Sequence, residues 1–156
     1  PHGMGYALLI AQQSLGPAVM LAWLGWVGAV GFAINAAALA RACRRKKVRV
    51  KVALLDQTIV AGVGNIYASE ALFEARVSPK RKASTLATAT GAPRPQAERV
   101  AAAVVKVLVR AIAKPEARFK VYERDGAPCP RRGCEGTIRR IVQAARSTFY
   151  CPTCQR

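Results

Sequence analysis

The sequence predicts a mainly α-helical domain that ends in a small β-hairpin module, and three observations carry that prediction. From Gln96 to Lys114 the apolar residues Val100, Val104, Val107, Leu108 and Ile112 recur at helical spacing, and Lys114-Pro115 ends the run. Near the C-terminus four cysteines stand as Cys129-x4-Cys134-x16-Cys151-x2-Cys154, two short pairs around a hairpin-length insert. Within that insert, Thr137 to Gln143 and Ser147 to Tyr150 are rich in β-branched and aromatic residues, the composition of two paired strands.

The remaining elements follow in chain order. Residues 1–40 contain no Asp, Glu, Lys or Arg, and residues 17–40 form an apolar run of 24 residues. Three readings of this run stay open: a membrane-spanning helix, a buried or partner-covered helix, and a segment foreign to the rest of the fold, an aberrant N-terminus. A span has the right length, and the basic flank Arg41 to Lys51 would hold the following residues in the cytoplasm. Gly25, Gly28 and Gly31 would give it a small-residue packing strip, but Trp23 and Trp26 fall inside the run rather than at its ends. No positive stretch precedes it, which argues against a secretory signal. The expected division is residues 1–40, a helical domain over 41–116 and a cysteine module over 117–156.

Residues 48–56 read as a short amphipathic helix, with Val50, Ala53 and Leu54 on one face and Lys51 and Asp56 on others. A glycine-punctuated loop, Gln57 to Gly64, leads to Asn65, expected as the N-cap of a helix reaching Glu74. Val77 to Lys80 breaks the pattern, and residues 84–96 read as a loop with one weak helical turn. Arg118 to Tyr122 alternates at period two and is expected as a strand entering the cysteine module.

Cys129, Cys134, Cys151 and Cys154 can converge tetrahedrally on one Zn²⁺, each pair supplying two thiolates from a tight turn; two disulfides are the alternative. Four protein ligands leave no open position for water, so the metal would be structural and would contribute directly to folding. Zinc-bound thiolates suit a reducing compartment, and the leftover Cys43 reads as a small buried residue. The finger presents Arg131, Arg132, Arg139, Arg140, Arg146 and Arg156 against one acid, Glu135.

The formal charge of +17 lies wholly in residues 41–156, which points to a polyanionic partner, nucleic acid first and acidic membrane second. Gly62 and Gly64 let backbone amides approach a ligand, and the helix that opens at Asn65 favours an anion. With Lys51 on the preceding helix and Arg146 on the finger, three elements could grip successive phosphates.

Residues 51–73, centred on Val60-Ala61-Gly62-Val63-Gly64-Asn65-Ile66-Tyr67, closely resemble the helix-two-turn-helix motif of the formamidopyrimidine-DNA glycosylase and endonuclease VIII family. The stretch Arg146 to Gln155 is similar to that family's C-terminal zinc finger, so the resemblance covers about residues 41–156. It implies a helix-two-turn-helix DNA-binding domain with a zinc finger, in which Lys51, Asn65 and Arg146 contact phosphates and Gly64 offers its backbone amide. It further implies base-excision repair: these bifunctional glycosylase/AP lyases flip an oxidised purine out of double-stranded DNA, cut its glycosidic bond and nick the strand. The family's nucleophile is an N-terminal proline amine followed by a glutamate. Here Pro1 is followed by His2, residues 1–40 resemble no catalytic domain, and Lys114 to Arg118 leaves no room for the loop that caps the flipped base. The expectation is a monomeric, cytoplasmic, nucleoid-associated protein that binds damaged duplex DNA without efficient catalysis. The alternative is a membrane-tethered, zinc-dependent DNA-binding adaptor.

Overall fold

The computed structural model describes residues 36–114 and 116–156. The readings placed on Pro1, on His2 and on most of the apolar run 17–40 lie outside the described residues. Among those described, no helix is long and apolar enough to cross a membrane.

Among the described residues, the fold consists of four helices and one hairpin. Helix α1 is seen over residues 36–43, crossing the boundary expected at residue 40, and buries Leu39, Ala40 and Cys43. Helix α2 spans Val50–Leu55, α3 spans Asn65–Glu74, a 3₁₀ turn covers Ala83–Leu86, and α4 spans Pro95–Ala113 with proline in its first turn. Their shared core joins Leu39 and Cys43 of α1, Val50 and Leu54 of α2, Ala68 and Leu72 of α3, Leu86, and Ala97 and Val100 of α4. The apolar stripe of α4 outruns this core, leaving Ile112 81% exposed.

Strands β1 (Arg139–Gln143) and β2 (Arg146–Tyr150) pair antiparallel, with Arg139 opposite Tyr150 and Gln143 opposite Arg146. Ala144 and Ala145 close the hairpin with φ of 48° and 57°, the left-handed pair that a two-residue hairpin turn requires. A second core cluster packs Phe149, Ile138 and Val121 around the cysteines and takes Phe73 from α3. Adjacent residues of one helix therefore serve both cores, Leu72 the helical one and Phe73 the finger.

Two local expectations are corrected. Arg118 to Tyr122 forms no strand, because the backbone N–H groups of Lys120, Val121 and Tyr122 all donate to the buried Glu70 carboxylate, at 2.9, 2.8 and 3.1 Å. The N-cap of α3 is Gly64, and Asn65 is the first helical residue. Its amide is engaged by Lys51 and the finger instead.

Candidate nucleic-acid interface and metal centre

The two turns between α2 and α3 are built by local side-chain bonds. Asp56 Oδ1 accepts from the N–H and hydroxyl of Thr58 at 3.1 and 2.6 Å, which fixes the first turn. Gln57 braces the second, accepting from Gly62 N–H at 2.9 Å and donating to Val63 O at 3.2 Å. Gly62 has φ +82°, a conformation that disfavours any side chain. A Cβ on Gly64 would meet nothing within 4 Å, so the backbone at the start of α3 borders open space.

Lys51 is not on a solvated face. It is 0% exposed, and its Nζ donates to Asn65 Oδ1 at 2.7 Å, Thr148 Oγ1 at 2.8 Å and Ser147 O at 2.9 Å. Those three bonds use all three ammonium protons. Burial, and then the neighbouring Arg146 guanidinium, push the Lys51 pKa down to about 8. Asn65 Nδ2 also donates to Ser147 O, at 3.1 Å, leaving its second proton for another acceptor. Lys51, Asn65 and the start of β2, where Arg146 is exposed, thus meet at one corner.

The finger is fastened along the whole of α3. Glu70 holds residues 120–122 as described, and Arg131 Nη2 donates to Phe73 O at 2.6 Å while its guanidinium lies 4.7 Å from the Phe73 ring centroid. Farther along, Gln155 accepts from Cys151 N–H at 2.8 Å and donates to Val77 O at 3.0 Å. With the Lys51–Asn65 corner, these attachments join the helices and the finger along one continuous seam. Thr148, Glu70 and Gln155 escaped the sequence reading, although Glu70 gave a signal: it is a lone carboxylate among Ala68, Ala71, Leu72 and Phe73.

At the far end of the finger, the Sγ atoms of Cys129, Cys134, Cys151 and Cys154 all lie within 4.8 Å of one another. Cys129 and Cys154 are 3.9 Å apart, and Cys134 and Cys151 3.7 Å. A tetrahedron of Zn–S bonds of about 2.3 Å has edges of about 3.8 Å, whereas a disulfide needs about 2.05 Å. The donor set fits one structural Zn²⁺ and rules out the disulfide alternative. Burial raises the Cys151 thiol, but the N–H groups of Cys154 and Thr153 outweigh it and bring the pKa down to about 7. Gly136 makes room for the site: a Cβ there would sit 2.4 Å from Thr153 Oγ1 and 2.7 Å from Cys151 Sγ.

The family model for the formamidopyrimidine-DNA glycosylase H2TH domain matches residues 30–122. The chain belongs to this family. A second model, for the zinc finger found in FPG and IleRS, matches residues 126–156. Among curated members, the formamidopyrimidine-DNA glycosylases of Afipia carboxidovorans and Azorhizobium caulinodans are each 44% identical to the chain, over all of its length and 58% and 59% of theirs. The chain therefore spans less than two thirds of the length of these relatives. Both alignments run over 173 positions, so the relatives hold residues inside the aligned stretch that this 156-residue chain lacks. Among solved family structures, MutM (Fpg) from Thermus thermophilus is 37% identical, covers 76% of this chain and 48% of its own, and superposes with a TM-score of 0.65. Lactococcus lactis Fpg in complex with DNA containing an abasic site is 28% identical, with 76% and 46% coverage and a TM-score of 0.66.

Proposed function

We propose that this chain grips the sugar-phosphate backbone of damaged duplex DNA as part of base-excision repair, with Asn65, Arg146 and the Gly64 amide as the phosphate donors. The observation that carries this reading is the corner itself, where Lys51 ties Asn65 to the residues that follow Arg146. Lys51 serves the grip from behind, because its protons are spent inside the fold. It turns the Asn65 oxygen inward, which leaves the amide nitrogen to face a phosphate. Arg146 supplies a charged fork suited to phosphate oxygens. The relatives support damaged DNA as the partner, since solved family members are complexes with abasic-site and 8-oxo-G DNA.

The 156-residue polypeptide by itself is proposed to bind without efficient base excision. The Lys114 to Arg118 connection is short, and the alignments with the relatives run over more positions than this chain has. The test is incubation of the purified chain with an 8-oxoguanine duplex, with and without borohydride. Salt-sensitive binding is expected, with a log–log slope of about −5 or steeper for six or more neutralised phosphates, and no trapped adduct. A flat salt response would remove the grip, and a covalent adduct would show that the chain carries its own nucleophile.

A further inference from the structure

Two clefts meet at Arg76, past the end of α3 opposite to Asn65. One, of about 530 Å³, enters the finger between Arg76, Arg131, Arg132 and Arg156, with Cys134 and Cys154 in its wall. The other, of about 400 Å³, runs between α3 and α4, where Arg99 and Lys106 stand beside Ala75, Ala102 and Ala103. The ten residues of α3 set this surface about 15 Å from the phosphate corner. Its arginines have no carboxylate partners: among the described residues, the three ion pairs all use lysines. Glu74 is taken by Lys106 and Lys120, which leaves Glu135 as the one unpaired acid lining either cleft among the described residues.

Arg76, Arg99, Arg132 and Arg156 are all exposed. Arg131 is fixed against Phe73, and Ser78 N–H donates to Arg156 O at 3.3 Å, so parts of this surface are ordered before any ligand arrives. Preordered groups lose less entropy on binding. Gathered positive charge without counter-charge selects an acidic partner, and the guanidinium fork suits carboxylates. We infer that this groove takes an extended acidic segment of a partner protein, its carboxylates on the exposed arginines and its small side chains over the alanines. A nucleic-acid strand fits less well, because among the described residues neither cleft is lined by an aromatic side chain on which a base could stack. A second copy of the chain also fits less well, since two chains of charge +17 repel each other. The groove is separate from the Asn65–Arg146 corner, so DNA and the acidic segment bind together.

The probe is a fluorescent peptide of about ten residues, alternating Glu and Ala so that its acids share one face when extended. Its anisotropy is followed with the full chain at fixed salt, with and without a saturating duplex. In the groove variant Arg76, Arg99, Arg132 and Arg156 become Gln, while Arg131 is kept for its bond to Phe73 O. An equal-charge control changes Arg45, Lys47, Lys80 and Lys82 to Gln, all exposed and none of them lining either cleft. The groove variant should lose about tenfold or more in affinity and the control less than about threefold, because screened charges act mainly on near neighbours. Arg99→Glu, on the cleft that no zinc ligand lines, should lose about threefold or more by itself. No binding to the native chain, equal losses in groove variant and control, or no loss from Arg99→Glu overturns the inference. So does displacement of the peptide by the duplex, which would make the groove part of the DNA surface. Zinc content and circular dichroism check the fold of each variant, and Arg99→Glu decides the result if the groove variant loses its zinc.

Discussion

The ammonium of Lys51 donates to Thr148 Oγ1 at 2.8 Å, a bond between α2 and the hairpin across 97 residues of sequence. Neither residue is exposed, and the same ammonium also orders Asn65. Lys51→Met strands two acceptors, Asn65 Oδ1 and Thr148 Oγ1, and leaves Ser147 O only its bond from Asn65, at a cost of about 2 kcal/mol or more. Chemical denaturation should register the loss, and Lys51→Arg should recover only part of it because the guanidinium is too large for the site.

The same lysine predicts a pH dependence. Its pKa falls from 10.5 to about 8 in the folded protein, so between these values the unfolded chain holds more protons. Stability contributed by this group therefore rises with pH from about 8 to 10.5 and is flat below about 8. Subtracting the Lys51→Met profile from that of the native protein should expose this rise. A difference that instead fell across the window would contradict the assigned direction.

Glu70 collects three backbone N–H groups on one carboxylate. Glu70→Ala leaves all three unpaired, at about 1–3 kcal/mol for each that stays buried. Hydrogen exchange at residues 120–122 should accelerate strongly, with smaller changes in α2.

Zinc removal should unfold the finger before the helices, since structural zinc contributes roughly 10–16 kcal/mol in such modules. A chelator titration followed by hydrogen exchange should show loss of protection over β1 and β2 first. Gly136→Ala should lower zinc affinity although it replaces no ligand, because its methyl group would collide with Thr153 and with the sulfur of Cys151.

The hairpin tip offers a gain instead of a loss. Ala144 and Ala145 both hold positive φ, which costs an L-residue with a Cβ roughly 1–2 kcal/mol. Ala145→Gly should raise the denaturation free energy by about 1 kcal/mol, with DNA affinity unchanged within error.

What the sequence revealed divides along the range of the interactions. The cysteine pairs, the long α4 periodicity and the Gly62 turn are local patterns, and each appears where its spacing places it. By the helical pattern alone Lys51 belongs on a polar face, because its charge says nothing about partners 96 and 97 residues away. Residues 118–122 alternate as a strand does, yet Glu70 takes the amides that a neighbouring strand would need. Asn65 has the chemistry of a cap, but its amide is committed to a contact with the finger that no local pattern encodes.

The most direct test of the two-module grip is a double-mutant cycle between Asn65 and Arg146, read as the dissociation constant for duplex DNA at fixed salt. If the corner holds one phosphate from both sides, Asn65→Ala and Arg146→Ala should be coupled by about 0.5–3 kcal/mol, and Lys51→Met should reduce that coupling. Losses that add within about 0.3 kcal/mol would mean that the helix corner and the finger bind independently, contrary to this account.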